Sequence, residues 1–239
     1  AGGGAFDPTL IPNSVWLDGS ADFLTRQNGS AFSNRKEVIL SFWVQRNKFS
    51  TQQAIFAGVE SSAGFILQFE STDKLWLSDG GDKKTTAVYR DIGWYHILVS
   101  YDTSQAVATD RTKLFVNGVE VTSFSTAGSV GQNSNIPGIS GEMTGSEVMR
   151  IGSYNNTVAN FYFFNGYIAQ ACMLESVSIQ QGDFAVSDFL DTFTYGTNGS
   201  QFVPKANASV AALASTAGGN SFCLDFVNSS DLGNDISSN

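Results

Sequence analysis

The chain has 239 residues and a formal charge of −9, with 42% hydrophobic, 13% aromatic and only 15% charged residues. An acidic field repels phosphate backbones, so no nucleic-acid partner is expected. No run reaches the roughly 18 to 20 apolar residues of a membrane span, so no membrane insertion is expected either. With 19 Phe the chain can bury the core of one large domain. A single domain over residues 1–239 is expected, with an N-terminal arm at 1–14 and a C-terminal extension at 195–239 that carries a closing strand. The opening AGGGAFDPTL lacks the basic flank and apolar stretch of a secretory leader, so the chain reads as soluble and uncleaved, or as a mature fragment.

Strand signals begin at Val15 to Gly19 (VWLDG) and continue at Val38 to Val44, where β-branched and aromatic residues form one apolar run that reads as a buried strand. Gly64 to Glu70 and Lys74 to Ser78 flank the polar residues Ser71, Thr72 and Asp73, which predicts a hairpin. The stretch WYHILVSYD alternates: Tyr95, Ile97, Val99 and Tyr101 share one face, Trp94, His96, Leu98 and Ser100 the other. Both faces are apolar enough for a central strand of a sandwich. In KLFV-Asn117-Gly118-VEV the Asn-Gly pair supplies the two positive φ angles that a type I′ turn demands. Phe124 to Glu147, rich in Ser, Gly and Asn, predicts a long surface loop broken by one edge strand. Met149 to Gly152 and the run FYFF-Asn165-Gly166-YIAQACML restore strand character, and Val186 to Phe193 is the one stretch that reads as helical. A last strand is expected at Ser221 to Phe226 within a tail of small residues. Short antiparallel strands without crossover helices predict an all-β, two-sheet antiparallel sandwich with at most one short helix.

Three segments carry a resemblance. Trp94 to Thr103 followed by Asp110 to Val121 is similar to paired strands of laminin-G-like and pentraxin-like concanavalin A domains, and Met149 to Asn156 followed by Phe163 to Leu174 resembles the next two strands of that jelly roll. The opening RQNGSAFSNRKEVILSFWVQRNKFSTQQAIFAG and the close FVPKANASVAALASTAGGNSFCLDFVNSSDLGNDISSN resemble a subgroup found in tail-fibre and other virion proteins of bacteriophages, with Cys223 where that subgroup has an aromatic. The resemblance implies a virion location, and the residues, which offer no recognisable catalytic groups, lead to the expectation of a non-enzymatic module. Its partners would be host surface glycans or neighbouring virion proteins, and fibres of this kind imply a homotrimer. Purely structural assembly or capsid decoration is the alternative, and a polysaccharide-degrading glycosidase a second one.

Candidate chemistry is sparse. Glycosidases of this fold place acids as E-x-D-x-x-E on one strand; here Glu70 is followed by Ser71, Thr72 and Asp73, and Glu142 and Glu147 lie in a Gly/Ser loop. His96 is the one histidine, and its mid-strand place beside Trp94 reads as structural. No cofactor is expected, apart from calcium as a reading of Asp79 and Asp82, whose Ser78-Asp79-Gly80-Gly81-Asp82 loop otherwise reads as an ordinary turn. Sugars need aromatic faces beside amides and hydroxyls. Candidates are Trp76, Tyr89, Tyr162 and Tyr154 with Asn155 and Asn156. Trp76 lies between Leu75 and Leu77, so it points outward if the leucines point in. Cys172 and Cys223 read as two small buried apolar side chains, with a bridge between adjacent strands as the alternative.

Overall fold

The computed structural model describes residues 13–60, 63–156, 159–195 and 199–237. In chain order its strands are β1 (Val15–Asp18), β2 (Leu24–Arg26), β3 (Glu37–Arg46), β4 (Gln53–Glu60), β5 (Ala63–Phe69), β6 (Leu75–Ser78), β7 (Lys83–Thr85), β8 (Tyr95–Asp102) and β9 (Thr112–Val116). They continue as β10 (Val119–Glu120), β11 (Phe124–Ala127), β12 (Val148–Ile151), β13 (Tyr154–Asn156), β14 (Ala159–Phe161), β15 (Asn165–Glu175), β16 (Leu190–Tyr195), β17 (Gly199–Pro204) and β18 (Phe222–Leu224). One α-helix, α1 (Asn207–Thr216), follows β17.

Two large antiparallel sheets form the sandwich. The front sheet runs β1-β15-β3-β8-β9-β10, with β18 added to β15, and the back sheet runs β11-β7-β6-β5-β4-β12-β2. Alternation decides what goes between them. From β8 the inward Ile97, Val99 and Tyr101 join the central core with Phe56, Phe65, Leu67, Leu75 and Leu77 of the back sheet, while Leu98 points out of the front sheet. That outer face is not solvated: Phe189, Val210 and Ala214 of the C-terminal segment cover it in a second apolar layer with Ile39 and Leu174. This explains why β3 reads as an unbroken apolar run, since it is buried on both sides.

The Asn117-Gly118 hairpin forms as expected, with φ of 50° and 77° between β9 and β10. Elsewhere the structure corrects the sequence. Val186 to Phe193 is not a helix but one 3-10 turn, Val186–Asp188, leading into β16. The α-helix lies instead at Asn207–Thr216, where no helix is expected. The segment after Phe124 is not a mere surface loop: beyond β11 it sends Val130, Ile136, Ile139 and Met143 into the central core. Cys172 and Cys223 are not free; they form a disulfide between registered partners of β15 and β18, with Cα atoms 4.2 Å apart. Antiparallel partners that do not share hydrogen bonds stand this close, which is what lets two facing cysteines join.

His96 is fully buried; its Nε2 lies 2.9 Å from Ser41 Oγ, and its ring packs on Trp43 at 5.1 Å. Burial pushes its pKa down from 6.5 to about 3. The unfolded chain therefore binds this proton more readily, so the stability held above pH 6.5 is lost as pH falls toward 3. Between pH 7 and 4.5 the loss from this residue is about 2–3 kcal/mol. Urea unfolding of wild type and His96→Gln across that range is expected to show the difference as a flatter slope in the variant; parallel slopes would refute it.

Candidate functional site

The back sheet's outer face holds the best candidate. Leu75 and Leu77 of β6 point into the core, so Trp76 between them faces outward. Cross-strand register places Gln68 of β5 opposite Trp76 and Ala54 of β4 opposite Gln68, while Lys84 of β7 flanks the indole on its other side. Beyond Ala54, the rings of Tyr154 and Tyr162 stack with centroids 5.8 Å apart and planes at 14°, seated on Ala54, Ala57 and Ile66. Tyr162 adopts a left-handed φ of 55°, and its carbonyl accepts a 2.7 Å hydrogen bond from the Ala54 N–H. Two aromatic elements thus flank one buried amide.

That amide is unusual. Gln68 is fully buried, yet neither its Oε1 nor its Nε2 has a hydrogen-bond partner, and the same holds for Trp76 Nε1. Leaving a buried amide unpaired costs about 1–3 kcal/mol per group, so these groups single out this patch of the sheet as one that calls for a physical explanation. The platform also has a charged edge: Lys84 Nζ lies 4.2 Å from the Trp76 ring centroid and 3.0 Å from Glu70 Oε2. Burial raises the Glu70 carboxyl, but hydrogen bonds from Thr72 and Lys84 outweigh it and hold it below its ordinary value. A carboxylate held ionised suits hydroxyl recognition better than proton donation.

The remaining predicted residues are distributed differently. Tyr89 is not at a rim: it is 8% exposed, in the central core, edge-on to Phe69 and Tyr95. The side chains of Asn155 and Asn156 lie outside the described residues; their backbone pairs β13 with β14. Asp79 points inward, 3% exposed, accepting hydrogen bonds from the Tyr101 hydroxyl and from the Gly81 N–H at 2.8 Å. Burial pushes its pKa up. Asp82 accepts from Ser78 Oγ at 2.7 Å, and among the described residues no group of three or more His, Cys, Asp or Glu side chains is gathered for a metal. The loop holding both aspartates is pinned by a close backbone crossing, since a Cβ on Gly81 would stand 2.3 Å from the Ser129 carbonyl carbon. Gln68 and Lys84 escape sequence reasoning because a polar residue on an alternating strand reads as solvated.

Residues 18–175 match the family model described as the concanavalin A-like lectin/glucanases superfamily, a laminin G domain model. The chain belongs to that superfamily. Among solved structures it is similar to a native heptameric SAP-like pentraxin from Limulus polyphemus, at 15% identity and a TM-score of 0.50, covering 73% of this chain and 80% of that one. It is also similar to domains LG4-5 of the mouse laminin α1 chain, at 10% identity and a TM-score of 0.47, covering 67% of this chain and 40% of that one. At such identities the likeness is one of fold. No curated protein sequence matches the chain.

Proposed function

We propose that this chain is a non-catalytic glycan-binding domain of a bacteriophage particle, with the outer face of the back sheet as its ligand platform. The observation that carries the reading is the placing of Trp76 and the stacked Tyr154 and Tyr162 on one face, on either side of the unpaired Gln68 amide. Rings of this kind cover the apolar faces of sugar units, and the Lys84–Glu70 pair at the platform's accessible edge supplies a donor and an acceptor for hydroxyls. The superfamily adds support, since it is described by its lectins as well as its glucanases. The virion context rests on the likeness of the opening and closing segments to phage tail-fibre proteins, and the partner it implies is a host surface glycan.

A glycan array probed with the intact chain tests this directly. Bound glycans are expected to lose roughly tenfold or more in affinity, about 1.4 kcal/mol, on Trp76→Ala and on Tyr154→Ala. Binding indifferent to both substitutions would remove the platform, and release of reducing sugar would overturn the non-catalytic assignment. Absence of any glycan binding, together with stoichiometric presence in purified particles, would favour an assembly role.

A further inference from the structure

From the cleft at the β7–β11 seam of the sandwich, we infer a second binding pocket for a neutral sugar unit, one floored by the buried Lys83 ammonium and rimmed by Asp110 and Glu120. The pocket is argued from its own residues and does not depend on the platform. It measures about 440 Å³ and lies where β7 and β11 of the back sheet meet β9 and β10 of the front sheet. Lys83 shares the inward parity of Leu77, its register partner, so its side chain enters the gap between the sheets. It is 6% exposed. Its Nζ donates one hydrogen bond, 2.7 Å to the Thr112 carbonyl, and stands 5.6 Å from the Phe124 ring centroid.

An ammonium has three N–H groups. One is satisfied by Thr112 and one side faces an aromatic ring, which leaves donor capacity inside a cleft wide enough for a ligand. Keeping a cation buried with incomplete hydrogen bonding is costly, and an incoming oxygen acceptor relieves that cost. Burial lowers the Lys83 pKa, with Asp79 opposing the shift.

The rim specifies what that acceptor is attached to. Lys113 Nζ sits 3.0 Å from Asp110 and 2.9 Å from Glu120, and the two carboxylates remain 40% and 39% exposed. One ammonium between two carboxylates leaves the rim negative, and the whole chain carries −9. An anion would have to cross that field. A neutral ring avoids it: an acceptor oxygen reaches Lys83, hydroxyl or amide donors reach Asp110 and Glu120, and the apolar face lies against Phe124 and Val121.

The test is chemical-shift mapping on the intact, isotope-labelled protein, with methyl glucoside, methyl N-acetylglucosaminide and glucuronate each added at roughly 20 mM, enough to populate a millimolar site. The expected result is a set of shifts centred on Lys83, Val121, Phe124 and Glu120 with at least one neutral glycoside, and weaker shifts with glucuronate. Lys83→Met is expected to abolish them. Because that change alters a buried position, Glu120→Gln on the exposed rim serves as the second variant, with several-fold weaker binding expected. The pocket is refuted if no neutral glycoside shifts these residues, if glucuronate binds more tightly, or if the shifts survive both variants. Shifts confined to Trp76, Gln68 and Tyr154 would sink this pocket while leaving the platform standing; seam shifts without platform shifts would do the reverse.

Discussion

Asp73→Ala is expected to lower the unfolding free energy by about 3–5 kcal/mol, because it strands a buried cation. Arg46, at the end of β3, is fully buried; it donates to Asp73 Oδ1 at 2.9 Å and to the Tyr89 carbonyl at 3.1 Å, and it lies 4.3 Å from the Phe69 ring centroid. Asp73 receives Arg90 Nε at 2.7 Å and the Ser50 N–H at 2.7 Å as well. Burial raises the Asp73 carboxyl, and these donors more than reverse the rise, so its pKa stays below the ordinary value. The stability it contributes is therefore present above about pH 4 and lost as pH falls below that. Asp73 also holds a left-handed φ of 62° in the turn between β5 and β6, so Asp73→Asn, which tolerates that backbone, separates lost charge from lost turn geometry. Urea unfolding of Asp73→Ala, Asp73→Asn and the double variant Arg46→Met with Asp73→Asn is the measurement. The double variant should be more stable than either aspartate single, since it leaves no buried charge unpaired; Arg90, which also loses its partner, is 62% exposed and solvated. A loss below about 1 kcal/mol for Asp73→Ala would show the pair to be dispensable. The consequence reaches function, because this ion pair anchors the hairpin that carries Gln68 and Trp76.

What the sequence reveals here is local. Asn117-Gly118 specifies its turn by backbone sterics alone, and the alternation from Tyr95 to Asp102 specifies both faces of a central strand. Trp76 is legible for the same reason: its leucine neighbours fix its direction. Long-range arrangements are hidden. Tyr89 reads as an available ring, but two other aromatics reach it from Phe69 and Tyr95, which lie 20 residues before and six after it. Lys83 and Lys84 are neighbours in sequence, yet strand parity sends the first between the sheets and the second over an indole. The helix Asn207–Thr216 is a different failure. Its segment NASVAALAST carries four alanines, the best helix former, but Ser209, Ser215 and Thr216 within it and Gly218-Gly219 just after it mask the signal. Packing decides it: Val210 and Ala214 bury against the front sheet.

The same helix bears on the second large effect. Removing the Cys172–Cys223 bridge is expected to cost about 4 kcal/mol, the loop-closure entropy of a crosslink spanning 51 residues. The bridge ties β18, in the C-terminal extension, to β15 in the middle of the front sheet. Both sulfurs lie in the outer apolar layer with Val210 and Ala214 of α1, and the Cys223 N–H donates to Asp235 at 3.0 Å. Broken covalently, the extension is joined to the ladder of the front sheet through only the three residues of β18, its β17 pairing instead with β16. Its detachment would expose Ile39, Leu98 and Leu174, which it covers in the folded chain. Denaturant unfolding with and without a phosphine reductant checks this in wild type and in a Cys172→Ala, Cys223→Ala variant. Reductant should shift the wild-type midpoint and leave the variant unmoved, and the variant should bind a hydrophobic dye before its central core unfolds. A shift under about 1 kcal/mol would mean that noncovalent contacts alone hold the extension. A single cooperative transition without early dye binding would instead mean that the extension and the sandwich unfold together, bridge or no bridge.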